Sequence, residues 1–352
     1  MILKQWCQCL AGISRGNKKD DRCGMKTLQK VSLAVLMILF FASFPVAEGE
    51  HLQPTINEDE LTEDQTWFIE DYASFKPFWE HLESVPVQGS SWFSVYRLPE
   101  NVYAIFEPYQ EQMVISYLIL GGNAALLLDS GLGIGNIKAC VDQLTDLPVT
   151  VLNSHDHFDH IGGNALFERV MCYNIPSAIE TLTEGIPHDV LVTWIDPDAI
   201  VNPPEDFSPD TFSILGKAPT ATVEDGEIID LGGRKIEVVY TPGHDDAAIM
   251  LIDEENRLLF TGDTWYPGWL YFISEENSLE EYVETFRKVG TIIREKNLKQ
   301  LYPSHNCILQ GTDLFYETTE FMERVLSGKE EYEIIDDCRM YILNDMIALY
   351  VY

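Results

Sequence analysis

Apolar and polar positions along the chain predict a set of strands from residue 92 onward, followed by alternating strands and helices. Gly121–Gly122 and Gly232–Gly233 predict tight turns between neighbouring strands. The predicted strands are Trp92–Leu98, Val102–Phe106, Met113–Leu120, Ala124–Asp129, Val149–Asn153, Ile228–Leu231, Lys235–Tyr240, Ala247–Ile252 and Arg257–Thr261. Such a mixture of elements is typical of a layered α/β domain.

Three apolar stretches have helical spacing. The first is Ile134–Leu144. A second helix is predicted to open at Ser278, which forms a capping box with Glu281 and precedes an amphipathic run. The third covers Thr312–Leu326 and ends at Gly328, as helices often do before a glycine.

The remaining segments suggest a domain organisation. Residues 48–91 form an acidic N-terminal extension, residues 92–327 form the main domain, and residues 328–352 form a C-terminal extension. Residues 184–219 are rich in proline, aspartate and aromatic residues, so we expect a long ordered loop there. The tail Tyr332–Tyr352 alternates enough to predict a last strand.

The N-terminus has the pattern of an export signal. Lys26 and Lys30 precede an apolar run from Val31 to Phe44, whose 14 residues are too few to span a bilayer. We therefore expect residues 1–47 to be a signal peptide and the mature chain to be periplasmic or secreted, without stable membrane association. An uncleaved membrane anchor is the alternative. Met25 is a candidate for the true start, which would place residues 1–24 upstream of the protein.

Composition narrows the class of partner. Of the 352 residues, 46% are hydrophobic, which is enough for a large core, and the formal net charge is −34. Without residues 1–47, which hold seven basic and two acidic side chains, the charge is −39. So acidic a protein is poorly suited to phosphate backbones, and we expect a small-molecule substrate and no nucleic acid. The oligomeric state stays open.

Cysteine usage excludes two kinds of site. Four cysteines follow the predicted signal peptide, Cys140, Cys172, Cys307 and Cys338, and none forms a CxxC pair. Zinc-finger and thioredoxin-like sites are therefore not expected. Whether the four form disulfides, as an exported chain would allow, is left open.

The segment that follows the predicted strand ending at Asn153 carries the chemistry. Its sequence, His155-Asp156-His157-Phe158-Asp159-His160, places three imidazoles and two carboxylates within six residues. Imidazole nitrogen and aspartate oxygen are ligands for divalent metals such as zinc. His155 and His157 would point to one position, and Asp159 and His160 to a second, so the spacing predicts two metal ions in one site.

Three more candidate ligands lie just past apolar runs. His244 ends the segment TPGH, Asp263 lies in TGDT, and His305 ends the segment PSH. Loops at strand ends are where functional side chains gather. We therefore expect these three residues to join the same site.

These motifs together resemble the metallo-β-lactamase superfamily. The similarity covers roughly residues 92–327 and rests on the HxHxDH run, the segment Leu126–Gly131 (LLLDSG), TPGH, TGDT and PSH, in that order. The resemblance implies a four-layer αβ/βα sandwich with metals at one edge. It also implies a hydrolase with two zinc ions per chain.

The resemblance assigns a role to each matching position. It implies that the first zinc is held by His155, His157 and His244, and the second by Asp159, His160 and His305. Asp263 would bridge both, and Asp129 would orient the ligand loop. Among these residues, Asp159 and Asp263 are the ones expected to take part in catalysis.

The expected reaction is hydrolysis of a carbonyl substrate, namely an ester, thioester or lactone. A water bridging two zinc ions loses its proton near neutral pH, and the resulting hydroxide can attack a polarised carbonyl. A β-lactamase is the alternative, although many β-lactamases have cysteine or serine where this chain has Asp263. An iron-dependent oxidoreductase and a non-catalytic metal-binding protein are further alternatives.

Three neighbouring features complete the sequence interpretation. Asn136 stands where a GxGxxG loop would need its third glycine, so no nucleotide cofactor is predicted. The stretch Trp265–Phe272 is either a substrate wall or a region of ordinary packing or a dimer surface. Asp245 and Asp246, where family members often have small residues, either favour a cationic substrate group or face solvent.

Overall fold

The computed structural model describes residues 75–89, 91–192, 194–195, 200–272, 278–335 and 338–351. The predicted signal peptide and most of the predicted acidic extension lie outside these residues, so both stay predictions. Among the helices of the described ranges, none is both long and apolar enough to cross a membrane.

A first sheet forms one half of the described chain. Its strands are β1 (Glu83–Ser84), β2 (Ser94–Leu98), β3 (Val102–Phe106), β4 (Ile115–Leu120), β5 (Ala125–Leu128), β6 (Val149–Leu152), β7 (Val170–Tyr173) and β10 (Ala221–Val223), paired in that order. Strands β1 to β5 pair antiparallel, whereas β5, β6, β7 and β10 pair in parallel. Parallel strands end at one edge of the sheet, which is where β5 and β6 deliver the motif residues.

A second sheet packs against the first. Its strands are β11 (Ile228–Asp230), β12 (Lys235–Tyr240), β13 (Ile249–Asp253), β14 (Leu258–Gly262), β16 (Gln300–Pro303) and β17 (Leu309–Gln310), paired in that order. Alternate residues of β13 go to different cores: Leu251 packs between the sheets, and Ile252 packs under the helices behind. A sheet buried on both faces is what a sandwich with outer helices requires.

A small third sheet contains the C-terminal residues. It pairs β15 (Gly268–Phe272), β20 (Ile347–Val351), β19 (Cys338–Asn344) and β18 (Glu333–Ile335) in that order. The prediction of one strand for Tyr332–Tyr352 is therefore wrong. The side chain of Asn344 accepts hydrogen bonds from the backbone N–H groups of Met346 and Ile347, at 2.8 and 3.0 Å, and this turn reverses the chain.

The structure has a helix at each of the three predicted places and further helices that were not predicted. The helices used below are α1 (Ile137–Leu144), α2 (Phe158–Ile161), α3 (Pro176–Glu184), α4 (His188–Leu191), α5 (Leu279–Glu295) and α6 (Asp313–Leu326). Helix α1 begins at Ile137 because Asn136 caps it through a 3.0 Å bond from the N–H of Ala139. Helix α5 opens as predicted, since Ser278 Oγ accepts the N–H of Glu281 at 3.1 Å.

The segment predicted as one long loop has structure of its own. Residues 184–219 include the end of α3, the helix α4 and a short hairpin of β8 (Gly185–Ile186) with β9 (Ile214–Leu215). The expectation of a plain loop is therefore wrong for these parts. Apolar residues such as Leu191 and Ile214 are buried in the main core, and this burial stabilises the short elements.

Aromatic packing joins the two large sheets beneath the motif residues. The ring of Tyr117 on β4 lies 5.3 Å from Phe260 and 5.5 Å from Tyr302, centroid to centroid. The hydroxyl of Tyr117 donates to the carbonyl of Pro303 at 2.6 Å. Because Pro303 ends β16 two residues before His305, the core fixes the position from which His305 extends.

Candidate metal centre

The predicted site residues converge at one edge of the sandwich. Each follows the end of a strand: Asp129 follows β5, the segment His155–His160 follows β6, His244 follows β12, Asp263 follows β14, and His305 follows β16. Seven of these side chains form three groups of potential ligand atoms, in which the group His155, His160 and Asp263 connects the other two. The geometry therefore brings together every residue that the motifs selected.

The first cluster consists of His155, His157 and His244, with one nitrogen of each within 4.8 Å of the others. Nδ1 of His157 lies 3.2 Å from Nε2 of His244. The rings of His155 and His157 are 4.3 Å apart between centroids. Three imidazoles at such distances can share one metal ion.

The second cluster consists of Asp159, His160 and His305. Oδ2 of Asp159 lies 3.5 Å from Nε2 of His160 and 3.6 Å from Nε2 of His305. The short helix α2 carries Asp159 and His160 on consecutive positions, so a single turn of backbone supplies both donors.

Asp263 lies between the clusters. Its Oδ2 is 2.8 Å from Nε2 of His305 and 3.4 Å from Nε2 of His160, both in the second cluster. The same oxygen is 3.7 Å from Nε2 of His244 and 3.9 Å from Nε2 of His155, both in the first. One carboxylate oxygen thus reaches both groups of imidazoles.

Several buried polar atoms in this region form no hydrogen bond within the described part of the chain. They include Nε2 of His155, Nε2 of His160 and Oδ1 of Asp263. A buried polar atom left without a partner costs about 1–3 kcal/mol. Nitrogen and oxygen donors of these kinds are the ones that zinc takes, so the residues fit a metal centre.

The outer nitrogens of the imidazoles are held by hydrogen-bond acceptors. Nδ1 of His244 donates to the carbonyl of Tyr271 at 3.1 Å, and Nδ1 of His305 donates to the carbonyl of Gln112 at 2.5 Å. A carbonyl can only accept, so in both rings the proton is on Nδ1. In the neutral rings Nε2 would carry the lone pair, and this nitrogen is directed into the clusters.

Asp129 is the buried centre of the ligand loop. Its Oδ1 accepts the N–H of Ser154 at 2.7 Å, and its Oδ2 accepts the hydroxyl of Ser154 at 2.8 Å and Nδ1 of His160 at 3.0 Å. The Ser154 oxygen also lies 3.0 Å from Nδ1 of His155. One carboxylate therefore contacts His160 directly and His155 through Ser154, one ligand candidate of each cluster.

Burial and neighbouring charges set the protonation of these groups. Burial lowers the pKa of His155 well below its usual range and that of His244 to about 4, with neighbouring imidazoles adding to the effect. Burial would raise the pKa of Asp263, but His305 and His160 bring it well below its usual range. The neutral His155 and His244 and the ionised Asp263 are thus in the forms that bind metals. Burial lowers the pKa of His160 and of His305, but the carboxylates of Asp263 and Asp159 outweigh it and raise both.

The aromatic stretch near Asp263 serves mainly as packing. Trp265 and Leu270 are buried in the core under α5 and α6, whereas Trp269 and Tyr271 are each more than a third exposed. The ring of Tyr266 lies 4.9 Å from that of His305. The stretch thus supports the site from behind, and only its outward side chains are accessible.

Asp245 and Asp246 are partly buried rather than solvated. Oδ2 of Asp245 lies 3.4 Å from Nε2 of His157. Asp246 accepts the hydroxyl of Ser177 at 3.1 Å. The interpretation that both carboxylates simply face solvent is therefore wrong.

Sequence reasoning missed the buried carboxylate of Glu107. Oε2 of Glu107 accepts the indole N–H of Trp92 at 2.5 Å, and Oε1 accepts the N–H of Leu132 at 3.0 Å. Gly131, at φ +71°, passes so close that a Cβ there would lie 1.9 Å from Glu107 Oε1. The carbonyl of Gly131 accepts the N–H of Gly162 at the end of α2, so Glu107 holds a turn against the ligand helix. A lone Glu directly after a strand gives no signal of this contact.

We expect Glu107 to make stability pH-dependent. Burial raises the pKa of Glu107 from 4.5 to about 7, against the lowering effect of its two hydrogen bonds. A raised pKa means that the folded state holds the proton more tightly than the unfolded state. The contribution of Glu107 to the free energy of unfolding is therefore fully present below pH 4.5 and is lost as the pH rises to 7. The shift corresponds to about 3 kcal/mol.

Denaturation with urea between pH 4 and 8 checks this expectation on the chelator-treated protein. The difference in unfolding free energy between Glu107→Gln and wild type should change by about 3 kcal/mol across that range. Glu320→Gln, a change at an exposed site on α6, should show no such trend. Parallel pH curves for Glu107→Gln and wild type would contradict the assignment.

The four cysteines that follow the predicted signal peptide are buried, and Cys140, Cys172 and Cys307 are free thiols. Burial raises the pKa of Cys140 and of Cys172 to about 12, and that of Cys307 further. Thiols that stay protonated at neutral pH are poor nucleophiles. These cysteines therefore act as core residues.

Comparison with known proteins gives the family. The sequence model of the metallo-beta-lactamase superfamily matches residues 110–292, which is more than half of the chain. The matched stretch includes every motif described above except PSH at His305.

Curated relatives are enzymes of related kinds. An acyl-coenzyme A thioesterase MBLAC2 from Bos taurus is 26% identical over 248 residues, covering 66% of this chain and 88% of the relative. A hydroxyacylglutathione hydrolase from Dictyostelium discoideum is 23% identical over 205 residues, covering 55% of this chain and 60% of the relative. Among solved structures, a metallo-beta-lactamase from Pontibacter korlensis covers 66% of this chain and 99% of its own, at 16% identity and a TM-score of 0.46.

Proposed function

Because the chain belongs to the metallo-β-lactamase superfamily, we propose that it hydrolyses acyl thioesters and related carbonyl esters with two zinc ions. The expected αβ/βα sandwich and the expected hydrolase class are confirmed by the family match. Two relatives, a thioesterase and a hydroxyacylglutathione hydrolase by name, support the choice of a carbonyl substrate.

One observation carries the proposal: two clusters of three ligands share the carboxylate of Asp263. Nε2 of His155, Nε2 of His160 and Oδ1 of Asp263 are buried, form no hydrogen bond with the described residues, and are thus available as metal ligands. The first ion would be held by His155, His157 and His244. The second would be held by Asp159, His160 and His305.

Zinc bound there would supply Lewis acidity, polarising a carbonyl oxygen and making hydroxide available near neutral pH. The chain's own residues then have separate tasks. The Nδ1 hydrogen bonds of His244 and His305 keep both rings fixed, so the site needs little reorganisation during reaction. Oδ1 of Asp263 is available to accept a hydrogen bond from an attacking water, which would orient it.

A serine nucleophile does not fit the site. Ser154 lies beside His155, but its side chain is buried and its hydroxyl donates to Asp129 at 2.8 Å. A hydroxyl committed to a buried carboxylate is neither accessible nor activated. This contact supports a reaction in which water, rather than a side chain, attacks the substrate.

Charge limits the choice of substrate. The mature chain would have a net charge of −39, and three carboxylates, Asp156, Asp245 and Asp246, lie together beside the first cluster. A phosphodiester brings its own negative charge and is repelled, whereas a neutral carbonyl group is not. The partly exposed Trp269 and Tyr271 lie on the strand whose Tyr271 carbonyl accepts from His244, which suits an apolar acyl group.

A substrate panel on the purified zinc-loaded protein tests the proposal. The panel contains a neutral acyl thioester, an acyl-coenzyme A, an aryl ester, a homoserine lactone, a β-lactam and an aryl phosphodiester. We expect about two zinc ions per chain by elemental analysis, and kcat/KM for the thioester or ester at least roughly tenfold above that for the phosphodiester. Chelation should abolish the activity and zinc should restore it.

Three results would overturn the proposal. A preference for the phosphodiester at low salt would contradict the electrostatic argument. A preference for the β-lactam would favour the β-lactamase alternative. Native iron with visible absorbance, and no zinc-dependent hydrolysis, would favour the oxidoreductase alternative.

The proposal includes export. Its support is the basic flank at Lys26 and Lys30 before the 14-residue apolar run from Val31 to Phe44. Sequencing of the N-terminus of the natively produced protein tests it. A mature start near residue 48 is expected, and an intact Met1 on a cytoplasmic protein would exclude it.

A further inference from the structure

One imidazole of the clusters is oriented differently from the others. His155, His160, His244 and His305 each have Nδ1 within 2.5–3.1 Å of an oxygen of their surroundings. In His157 it is Nδ1 that faces a neighbouring ligand, at 3.2 Å from Nε2 of His244. The nitrogen of His157 that faces away from the cluster is therefore Nε2, whereas in the other four imidazoles it is Nδ1.

The side chain of Asp245 lies at that outer nitrogen. Its Oδ2 is 3.4 Å from Nε2 of His157, and both side chains are largely buried, at 13% and 19% exposure. The other oxygen, Oδ1, accepts the N–H of Ala247 at 2.7 Å. A carboxylate held by its own backbone turn is a fixed acceptor rather than a mobile surface charge.

Asp245 is also linked to the cluster through the chain. It directly follows His244, so one loop carries a ligand of the first cluster and the carboxylate that contacts another. The adjacent Asp246 has a different role, since its oxygens accept the hydroxyl of Ser177 at 3.1 and 3.2 Å. The two neighbouring aspartates thus have the same charge but different contacts.

We propose that Asp245 is a positioning residue for His157. The inference rests on the proposed function, because it assumes that the first cluster holds a metal ion. The carboxylate accepts the Nε2 proton of His157 and leaves the Nδ1 lone pair directed at His155 and His244. Partners of this kind orient a ligating imidazole and raise its basicity.

This role differs from electrostatic attraction of a substrate. If Asp245 acted only through its negative charge, Asp246 at the next position would act similarly. If Asp245 orients His157, only the substitution of Asp245 should change metal binding, and the change should be seen without substrate. Metal binding to the free protein therefore separates the two explanations.

The experiment titrates the metal-free full-length protein with cobalt(II) in competition with a chromophoric chelator. Cobalt(II) reports both affinity and, through its visible bands, the geometry of the imidazole site. Asp245→Ala is expected to weaken the tighter site by roughly 10- to 100-fold and to alter its spectrum. Asp245→Asn, which keeps the size and an acceptor oxygen, should recover part of the loss.

Asp246→Asn is the matched control, since it removes the same charge one position further on. It should change cobalt affinity by less than roughly threefold and leave the spectrum as in wild type, because its carboxylate accepts the hydroxyl of Ser177. Circular dichroism of each metal-free variant checks that the fold is retained.

The outcomes separate this inference from the proposed function. If the wild type binds no cobalt, the metal centre itself is wrong. If the wild type binds cobalt but Asp245→Ala equals Asp246→Asn in affinity and spectrum, the metal centre stands and the positioning role of Asp245 is wrong.

Discussion

Replacing Asp263 with alanine is expected to lower kcat/KM by roughly two to three orders of magnitude and to remove the more weakly held metal ion. Oδ2 of Asp263 lies within 3.9 Å of a nitrogen of four imidazoles, two from each cluster. Its charge is therefore the one feature that both proposed metal positions share.

Electrostatics gives the reason for so large an effect. Two unit charges 4 Å apart interact by about 4 kcal/mol at an effective dielectric of 20, and two dications repel four times as strongly. A carboxylate between them offsets part of this repulsion. The second cluster depends on it more, because it has two imidazoles, His160 and His305, where the first has three.

Metal titration and single-substrate kinetics on the same preparations check the expectation. Asp263→Asn is the matched variant, since it keeps the size of the side chain but removes the charge, and it should behave like alanine in metal content. Two equally tight metal sites in Asp263→Ala would contradict the bridging role. Loss of both metals together would mean that the clusters do not fill independently.

Much of the site could be predicted because its residues lie at strand ends. Leu258–Gly262 is a buried strand and Val149–Leu152 is buried at its end, so the polar residues that follow them, His155 and Asp263, are expected near one edge of a layered fold. The pattern of apolar residues predicted the strands, and the polar residues at the ends of the strands predicted the site. Convergence of the ligands follows from these two facts alone.

The groups that orient the ligands could not be predicted in the same way. His244 and His305 are held by the backbone carbonyls of Tyr271 and Gln112, and every residue type has a carbonyl. Asp245 contacts His157 only because the turn closed by Ala247 aims it there. Contacts between segments distant in sequence depend on loop geometry that periodicity does not encode.

The C-terminal sheet was missed for a related reason. Strand β15 pairs in parallel with β20, which lies about eighty residues later in the sequence. Within the tail, Asn344 did carry a turn signal, but alternation on both sides of it concealed the break. This sheet supports the site directly, since the carbonyl of Tyr271 on β15 accepts Nδ1 of His244.

Replacing Asp129 with alanine is expected to have the largest effect on stability, a loss of about 3–5 kcal/mol in the metal-free protein. The side chain is fully buried and accepts hydrogen bonds from the backbone and hydroxyl of Ser154 and from Nδ1 of His160. Alanine would leave these donors buried without an acceptor, at about 1–3 kcal/mol each before relaxation.

Backbone conformation adds a second contribution that matched variants can separate. Asp129 has φ +62°, a left-handed conformation that aspartate, asparagine and glycine adopt more readily than alanine. Asp129→Gly removes the hydrogen bonds but relieves the strain, and Asp129→Asn keeps one acceptor oxygen without strain. Urea denaturation of the chelator-treated proteins should rank stability as wild type, then asparagine, then glycine, then alanine. Wild-type stability in the glycine variant would mean that backbone strain causes the effect and that the hydrogen bonds contribute little. Stability of the glycine variant close to that of the alanine variant would mean that the buried carboxylate itself holds the ligand loop. In that case metal binding at His155 and His160 should be lost in both variants.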